Sequence, residues 1–188
     1  WRNAWAFKDI GRSYDAVYNR EHSPGFRWLT ETFGTNWRLT EMQACLGRIQ
    51  LKNLDTQVEK RRENAVILTQ AFQKIPALRV AVPDSHIKHS YYKYYAFVQQ
   101  EYLQNDWDRD RIIAELNERG VPCFSGSCSE IYLEKAFDLL VSKPKKRLPI
   151  AQELGETSLM FLVHPTLDRQ YMNEVVEIIN TVFILASK

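Results

Sequence analysis

The sequence is poor in the features that most readily assign a class. No apolar run approaches the ~20 residues that a membrane-spanning helix needs, and no basic-then-apolar leader is present, so neither a membrane nor a secreted protein is expected. Cysteine is scarce: Cys45, Cys123 and Cys128 are the only three. Cys123 and Cys128 are near enough in sequence to meet, but an odd and sparse set fits a reduced, cytoplasmic protein better than a disulfide scaffold. Charge of one sign is also lacking. Twenty-five basic and twenty-three acidic residues leave a net +2, too little to argue for nucleic acid. There is no GxxxxGK[ST], no GxGxxG and no GxSxG, which removes the P-loop, the dinucleotide fingerprint and the nucleophile elbow. Internal repeats and low-complexity tracts are absent as well.

What is present is an ordinary globular composition over 188 residues, enough for one domain and parts of a second. Trp1-Arg2-Asn3-Ala4-Trp5-Ala6-Phe7 reads like the interior of a helix cut from a longer polypeptide, and residues 1–10 are expected to be helical. Residues 11–35 form a long irregular segment, of the length that is often functional. Thr40 with Gln43 makes a capping box. Apolar positions then recur at helical spacing through Met42, Leu46, Ile49, Leu54, Val58, Ala65, Leu68, Phe72 and Ile75, until Pro76. Unbroken, 40–75 would reach about 54 Å, which predicts a kink near Asn53-Leu54-Asp55 and a role as a strut. A coiled coil is the plainer alternative, but Arg48, Lys52 and the 60–64 run interrupt its heptads.

Beyond Pro76 the pattern predicts an edge strand at 78–82, a strand at 90–99 and an amphipathic helix at 108–119 with Gly120 after it. A short strand at 121–124 and a turn at 125–127 follow. Helices are expected at 131–140 and at 149–154, the second ending at Gly155, then a strand at 157–163 and a last helix at 168–185. The fold class is α+β, with helices on one face of a small sheet.

Several constellations carry candidate chemistry. His86 and His89 are three apart in a polar stretch and read as solvated rather than as zinc ligands. Lys143-Pro144-Lys145-Lys146-Arg147 reads as a solvated linker, or together with Lys60–Arg62 as a nucleic-acid patch. Ser125, Ser127, Cys128 and His164 could form a nucleophile–base set, with no clear acid to orient it. The most informative run is Gly34-Thr35-Asn36-Trp37-Arg38-Leu39-Thr40-Glu41-Met42-Gln43-Ala44. Gly34 permits close approach of backbone to a ligand. Asn36 offers two donors and Arg38 five, suited to phosphate oxygens. Equally, Asn36 can cap the turn and Arg38 can pair with a nearby carboxylate such as Glu41.

The stretch GTNWRLTEMQACLGRIQLKNLDTQVEKRRENA resembles the glycine–Asn–Arg loop and following helix of the DegT/DnrJ/EryC1/StrS aminotransferases. VPCFSGSCSEIYLEKAF and LPIAQELGETSLMFLVHPTL resemble that family's C-terminal small domain. The resemblance implies the aspartate-aminotransferase fold (type I), with a long interdomain helix and a small, mainly antiparallel sheet. Residues 1–39 would be the tail end of the large domain, 40–75 the connecting helix and 76–188 the small domain.

It further implies pyridoxal 5'-phosphate as cofactor and a cytoplasmic homodimer with shared active sites. An amino acid, glutamate by preference, would donate, and a nucleotide-linked keto-sugar would accept. The setting would be lipopolysaccharide, other cell-surface polysaccharide or secondary-metabolite sugar biosynthesis. Asn36 would reach the cofactor phosphate of the neighbouring subunit, with Arg38 supporting the loop or meeting substrate. His164 would approach a sugar-nucleotide phosphate, and Trp37, Ser127 and Cys128 would also contact substrate. No metal, nucleic acid or membrane partner is implied.

Many relatives carry a Pro-Leu-His type element where this chain has Ser125-Gly126-Ser127-Cys128-Ser129, which leaves the substrate class open. The family's cofactor lysine, its acidic partner and its stacking aromatic are expected upstream of Trp1, so no catalytic residue is assigned in this chain, and Lys8 does not match that motif. The alternative is a non-catalytic binding or dimerisation module that keeps the small-domain fold. Without a large domain, Trp1, Trp5, Phe7, Phe26 and Trp28 are expected to be exposed, in a segment that is mobile or paired with another copy.

Overall fold

A computed structural model describes residues 1–22, 28–138 and 144–188. It divides into two compact units, Trp1–Asn53 and Leu54–Lys188.

The first unit holds α1 (Arg2–Lys8), α2 (Tyr14–Tyr18) and α3 (Glu41–Lys52). Ser13 caps α2 by accepting from Ala16 N–H at 3.1 Å. Aromatic rings join α1 to α2: Trp5 meets Tyr14 edge-on at 5.2 Å, and Trp1 lies over Trp5 at 5.8 Å. Gly11 turns the chain between the two helices at φ +77, where a Cβ would come within 1.6 Å of the Thr32 carbonyl oxygen. Only glycine fits there. Trp1, Phe7 and Trp28 are exposed as expected, whereas Trp5 is half-buried. Phe26 lies outside the described residues.

The capping box at the start of α3 is present in full: Gln43 N–H donates to Thr40 Oγ1 at 3.3 Å, and the Gln43 side chain accepts from Thr40 N–H at 3.0 Å. α3 buries no residue, so the expected apolar stripe at Met42, Leu46 and Ile49 is exposed. The helical run breaks at Asn53, whose N–H turns back to the Gln50 and Leu51 carbonyls. The expected interruption therefore falls at Asn53.

The second unit begins with α4 (Leu54–Phe72) and adds α5 (Arg109–Glu118), α6 (Pro149–Thr157) and α7 (Arg169–Ala186). Its strands are β1 (Leu78–Val80), β2 (Tyr94–Val98), β3 (Cys123–Phe124) and β4 (Ser158–Phe161), in the order β1-β2-β4-β3. All three pairings are antiparallel, with Leu78 opposite Val98, Tyr94 opposite Phe161 and Cys123 opposite Phe161. β1 is thus the edge strand that its weak alternation predicts.

Alternate residues of β2 (Tyr94, Ala96, Val98) are buried, which is the period of a sheet packed on one face. Against them lie Leu68 and Phe72 of α4, Ile112 and Leu116 of α5, and Met172, Ile179 and Phe183 of α7. Phe72 meets Phe161 and Tyr94 edge-on at 5.1 and 5.7 Å. Phe72 is fully buried, and its loss would cost about 3–5 kcal/mol.

Other expectations need correction. The helix expected over 1–10 stops at Lys8, because Ile10 takes a left-handed φ of 62, and α2 lies inside the segment expected to be irregular. The strand predicted from residue 90 starts at Tyr94, because Tyr91 takes a left-handed φ of 46 that no ladder accepts. The strand at 78–82 stops at Val80, before Pro83. The helix predicted at 131–140 is instead two short 3-10 turns, Ile131–Leu133 and Lys135–Phe137, separated by Glu134 in an extended conformation; residues 139 and 140 lie outside the described residues. Gly155 does not end α6, which continues to Thr157. A Cβ at 155 would meet Ser129 Oγ at 2.0 Å, so this glycine marks a close approach inside a helix.

Candidate functional site

In the first unit the loop at 34–38 hangs on the end of α1. The last carbonyls of a helix lack intrahelical partners, and here the loop supplies them. Thr35 N–H donates to the Phe7 carbonyl at 2.6 Å and Trp37 N–H to that of Lys8 at 3.0 Å. Ile10 N–H returns a bond to the Thr35 carbonyl at 3.1 Å, so that Asp9 and Asn36 face each other as an antiparallel bridge. Gly34 is required by this closeness: a Cβ there would stand 2.5 Å from Gly11 N and 2.6 Å from the Phe7 carbonyl oxygen.

Asn36 Oδ1 accepts from Arg38 N–H at 3.3 Å, a local turn that leaves the Nδ2 amide without an acceptor among the described residues. The capping role is therefore present and occupies only half of the side chain. Arg38 pairs with Asp9 through both Nε and an Nη, and not with Glu41. The reason is burial. Asp9 is only 4% exposed, and a buried carboxylate demands a partner. Arg12, 7% exposed, adds a second cation at 3.5 Å. Trp37 is exposed and packs edge-on against Phe7 at 5.2 Å. These residues place one spare amide, Asn36 Nδ2, on an anchored loop.

In the second unit Ser127 and Cys128 line a cleft of about 430 Å³, together with Arg109, Ser125 and Ser129. The Cys128 thiol lies 3.6 Å from Glu134 Oε1. Gly126 turns at φ +92, with the Tyr95 ring 2.5 Å from where its Cβ would be. Ser127 also borders a second cleft of about 510 Å³ that Tyr91, Tyr95 and Lys88 help to form. His164 lines neither cleft, so the Ser–Cys–His set does not assemble there. His164 stands in the turn after β4, where Nδ1 lies 2.8 Å from Thr166 Oγ1.

One wall of the first cleft is electrostatically fixed. Arg147 donates to Glu130 and also pairs with Glu156, at 2.9 Å for the latter. Tyr132 donates its hydroxyl to Glu130 at 2.6 Å. Arg147, then Tyr132, hold the Glu130 carboxyl below the usual carboxylate range. Glu130 in turn raises the Arg147 guanidinium, and Tyr132 is raised by its own desolvation and by the bond to Glu130. Arg147 is thus spent on carboxylates rather than free for a polyanion; Lys143 lies outside the described residues. Cys123 is a buried free thiol pushed up to about 12 by desolvation, while Cys45 and Cys128 are exposed free thiols. Among the described residues no group of three or more His, Cys, Asp or Glu could hold a metal ion, and none of the helices is long and apolar enough to cross a membrane.

Sequence reasoning missed Asp9, Glu130 and Asn64. Asn64 could have been found: it sits four residues before Leu68 on the apolar face of α4 and is fully buried, a polar residue at a core position.

A family model described as the DegT/DnrJ/EryC1/StrS aminotransferase family matches residues 5–180. Among solved structures, an aminotransferase from Psychrobacter cryohalolentis is 53% identical with a TM-score of 0.87, over 98% of this chain and 49% of that one. Helicobacter pylori PseC, an aminotransferase involved in the biosynthesis of pseudoaminic acid, shares the fold at a TM-score of 0.78 and 20% identity, over 96% of this chain and 45% of its own. Among curated proteins, a dTDP-4-dehydro-2,3,6-trideoxy-D-glucose 4-aminotransferase of Saccharopolyspora spinosa is 27% identical, over 81% of this chain and 40% of that protein. A pleiotropic regulatory protein of Geobacillus stearothermophilus is 28% identical, over 84% of this chain and 41% of its own length. The chain therefore spans less than half the length of these curated relatives.

Proposed function

The chain belongs to the DegT/DnrJ/EryC1/StrS aminotransferase family, and from that premise we propose that it is the C-terminal part of a pyridoxal-phosphate-dependent sugar aminotransferase. In this reading residues 1–39 close the large domain, 40–75 connect, and 76–188 form the small domain. The parent enzyme is a cytoplasmic homodimer that moves an amino group from an amino acid, glutamate by preference, to a nucleotide-linked keto-sugar. Its product serves cell-surface polysaccharide or secondary-metabolite biosynthesis. The Saccharopolyspora relative, whose name states a sugar substrate, supports this acceptor class.

The observation that carries the reading is the Asp9–Asn36 bridge, which offers Asn36 Nδ2 from a loop anchored to the end of α1. A phosphate takes up neutral N–H donors of this kind, so Asn36 fits the cofactor's phosphate, across the dimer. Arg38, committed to Asp9, supports the loop and leaves the anion to Asn36. Pyridoxal phosphate, when bound, supplies the electron sink through which an amine is exchanged for a carbonyl. This chain's part is orientation: Asn36 at the cofactor phosphate, and Trp37, Ser127, Cys128 and His164 toward substrate. The lysine that holds the cofactor lies, in this reading, outside these 188 residues.

The test is cofactor binding by the full-length enzyme. Asn36→Ala is expected to weaken it about tenfold, the value of one hydrogen bond to a charged group, followed by the visible absorbance of the bound cofactor. Unchanged affinity would remove Asn36 from the site. A second reading, a non-catalytic binding or dimerisation module, draws on the Geobacillus relative and its regulatory name. A full-length protein that shows no cofactor absorbance would favour it.

A further inference from the structure

Asn64 is wholly buried on α4 and directs both hydrogens of its amide at one turn. Nδ2 donates to the carbonyls of His164 at 3.2 Å and Leu167 at 3.1 Å. The same turn closes on itself through Leu167 N–H, which donates to the His164 carbonyl at 3.0 Å. Asn64 Oδ1 has no hydrogen-bond partner among the described residues. The side chain is thus a clamp on the backbone at both ends of His164–Leu167, and no other described acceptor takes its hydrogens.

The clamp bears on the His164 ring. Thr166 N–H donates to His164 Nδ1 at 3.4 Å, and Thr166 Oγ1 lies 2.8 Å from the same nitrogen. A backbone N–H can only donate, so Nδ1 must present its lone pair, and the Thr166 hydroxyl then donates as well. A neutral imidazole with a bare Nδ1 carries its proton on Nε2. Nε2 has no partner among the described residues, and His164 is exposed.

We infer that Asn64 and Thr166 are positioning residues that hold His164 in the Nε2–H form, as a hydrogen-bond donor to an anionic oxygen of the substrate. The ligand chemistry rests on the proposed function, in which a nucleotide-linked sugar brings phosphate oxygens. The tautomer does not rest on it. In this form Nε2 has no lone pair, so neutral His164 is neither a general base nor a metal ligand through that nitrogen. Either role would first require the ring to give up both Thr166 bonds.

The experiment is long-range proton–nitrogen correlation NMR on the ¹⁵N-labelled chain at pH 8, above the ordinary histidine value of about 6.5, with His164 assigned by His164→Gln. A single Nε2–H tautomer is expected. Thr166→Val keeps the shape and removes the shorter bond, leaving Nδ1 only the 3.4 Å backbone contact, and it should therefore loosen the preference into a mixture of tautomers; Thr166→Ser should restore the single form. Asn64→Ala should also give a mixture, and if that variant fails to fold the Thr166 pair decides alone. An Nδ1–H form in the unsubstituted chain, or a Thr166→Val ring that stays in the Nε2–H form, overturns the positioning.

In the parent aminotransferase, Thr166→Val should raise KM for the nucleotide-sugar severalfold and leave kcat nearly unchanged. An unchanged KM overturns the anionic-oxygen assignment. Failure of the proposed function itself would be seen separately, as an unsubstituted parent enzyme with no aminotransferase activity.

Discussion

Asp9 and Arg38, twenty-nine residues apart in sequence, are joined as an ion pair that links the last turn of α1 to the loop bearing Asn36. The carboxylate is buried and the guanidinium half-exposed, at side-chain values of 5% and 45%. Removing one partner of a buried pair strands the other, but Arg12 remains beside Asp9 and solvent screens Arg38. Arg38→Ala should therefore cost about 1–2 kcal/mol, read as a lowered urea midpoint. Arg38→Lys should recover only part of this, because an ammonium cannot reproduce the fork.

Gly155 and Ser129 provide a second test. Gly155→Ala gains about 1 kcal/mol of helix propensity, yet the new Cβ would lie 2.0 Å from Ser129 Oγ. Overpacking of this kind costs about 1–3 kcal/mol, so the net effect should be a lower melting temperature. The double variant Gly155→Ala, Ser129→Gly should recover most of the loss, whereas two independent sites would simply add.

The three thiols should separate by reactivity. Cys45 and Cys128 are exposed and Cys123 is buried, its thiol pushed up to about 12. With an aromatic disulfide reagent at pH 8, two thiols are expected to react quickly and Cys123 only on unfolding. The sign for stability follows from the raised value. Burial of neutral Cys123 is fully favourable below the unfolded thiol value of about 8.5, and this contribution is lost as pH rises toward 12. Cys123→Ala should flatten the alkaline side of the stability profile.

Glu130 should shape the acid side. Arg147 and then Tyr132 hold its carboxyl below the ordinary value. Its contribution is present above the unfolded carboxylate value of about 4.3 and is lost as pH falls through the lower folded value. Denaturant midpoints measured between pH 3 and pH 6 should fall more steeply for the unsubstituted chain than for Glu130→Gln (the pH limits are about those of carboxylate titration).

Sequence reasoning succeeded where the cause was local. Thr40 and Gln43 form their capping box within one turn, and the weak alternation at 78–82 marks β1 as an edge strand. It failed where a distant residue decided. Gly155 reads as a helix end until Ser129 is placed against it, and Arg38 reads as a partner of Glu41 until α1 brings Asp9 alongside. The 131–140 segment has helical composition, but Glu130 is held by Arg147 and Tyr132, and Glu134 is extended. At the candidate site, the loop at 34–38 stood out by residue type, whereas the separation of His164 from Ser127 and Cys128 required the fold.

The rungs that hold Asn36 run through backbone atoms of Phe7, Lys8, Ile10, Thr35 and Trp37. Apart from its edge-on contact with Phe7, the side chain at 37 takes no part in holding its neighbour. On the proposed reading, substitutions at Trp37 in the parent enzyme should keep cofactor retention as long as Gly34 and Asn36 stay fixed.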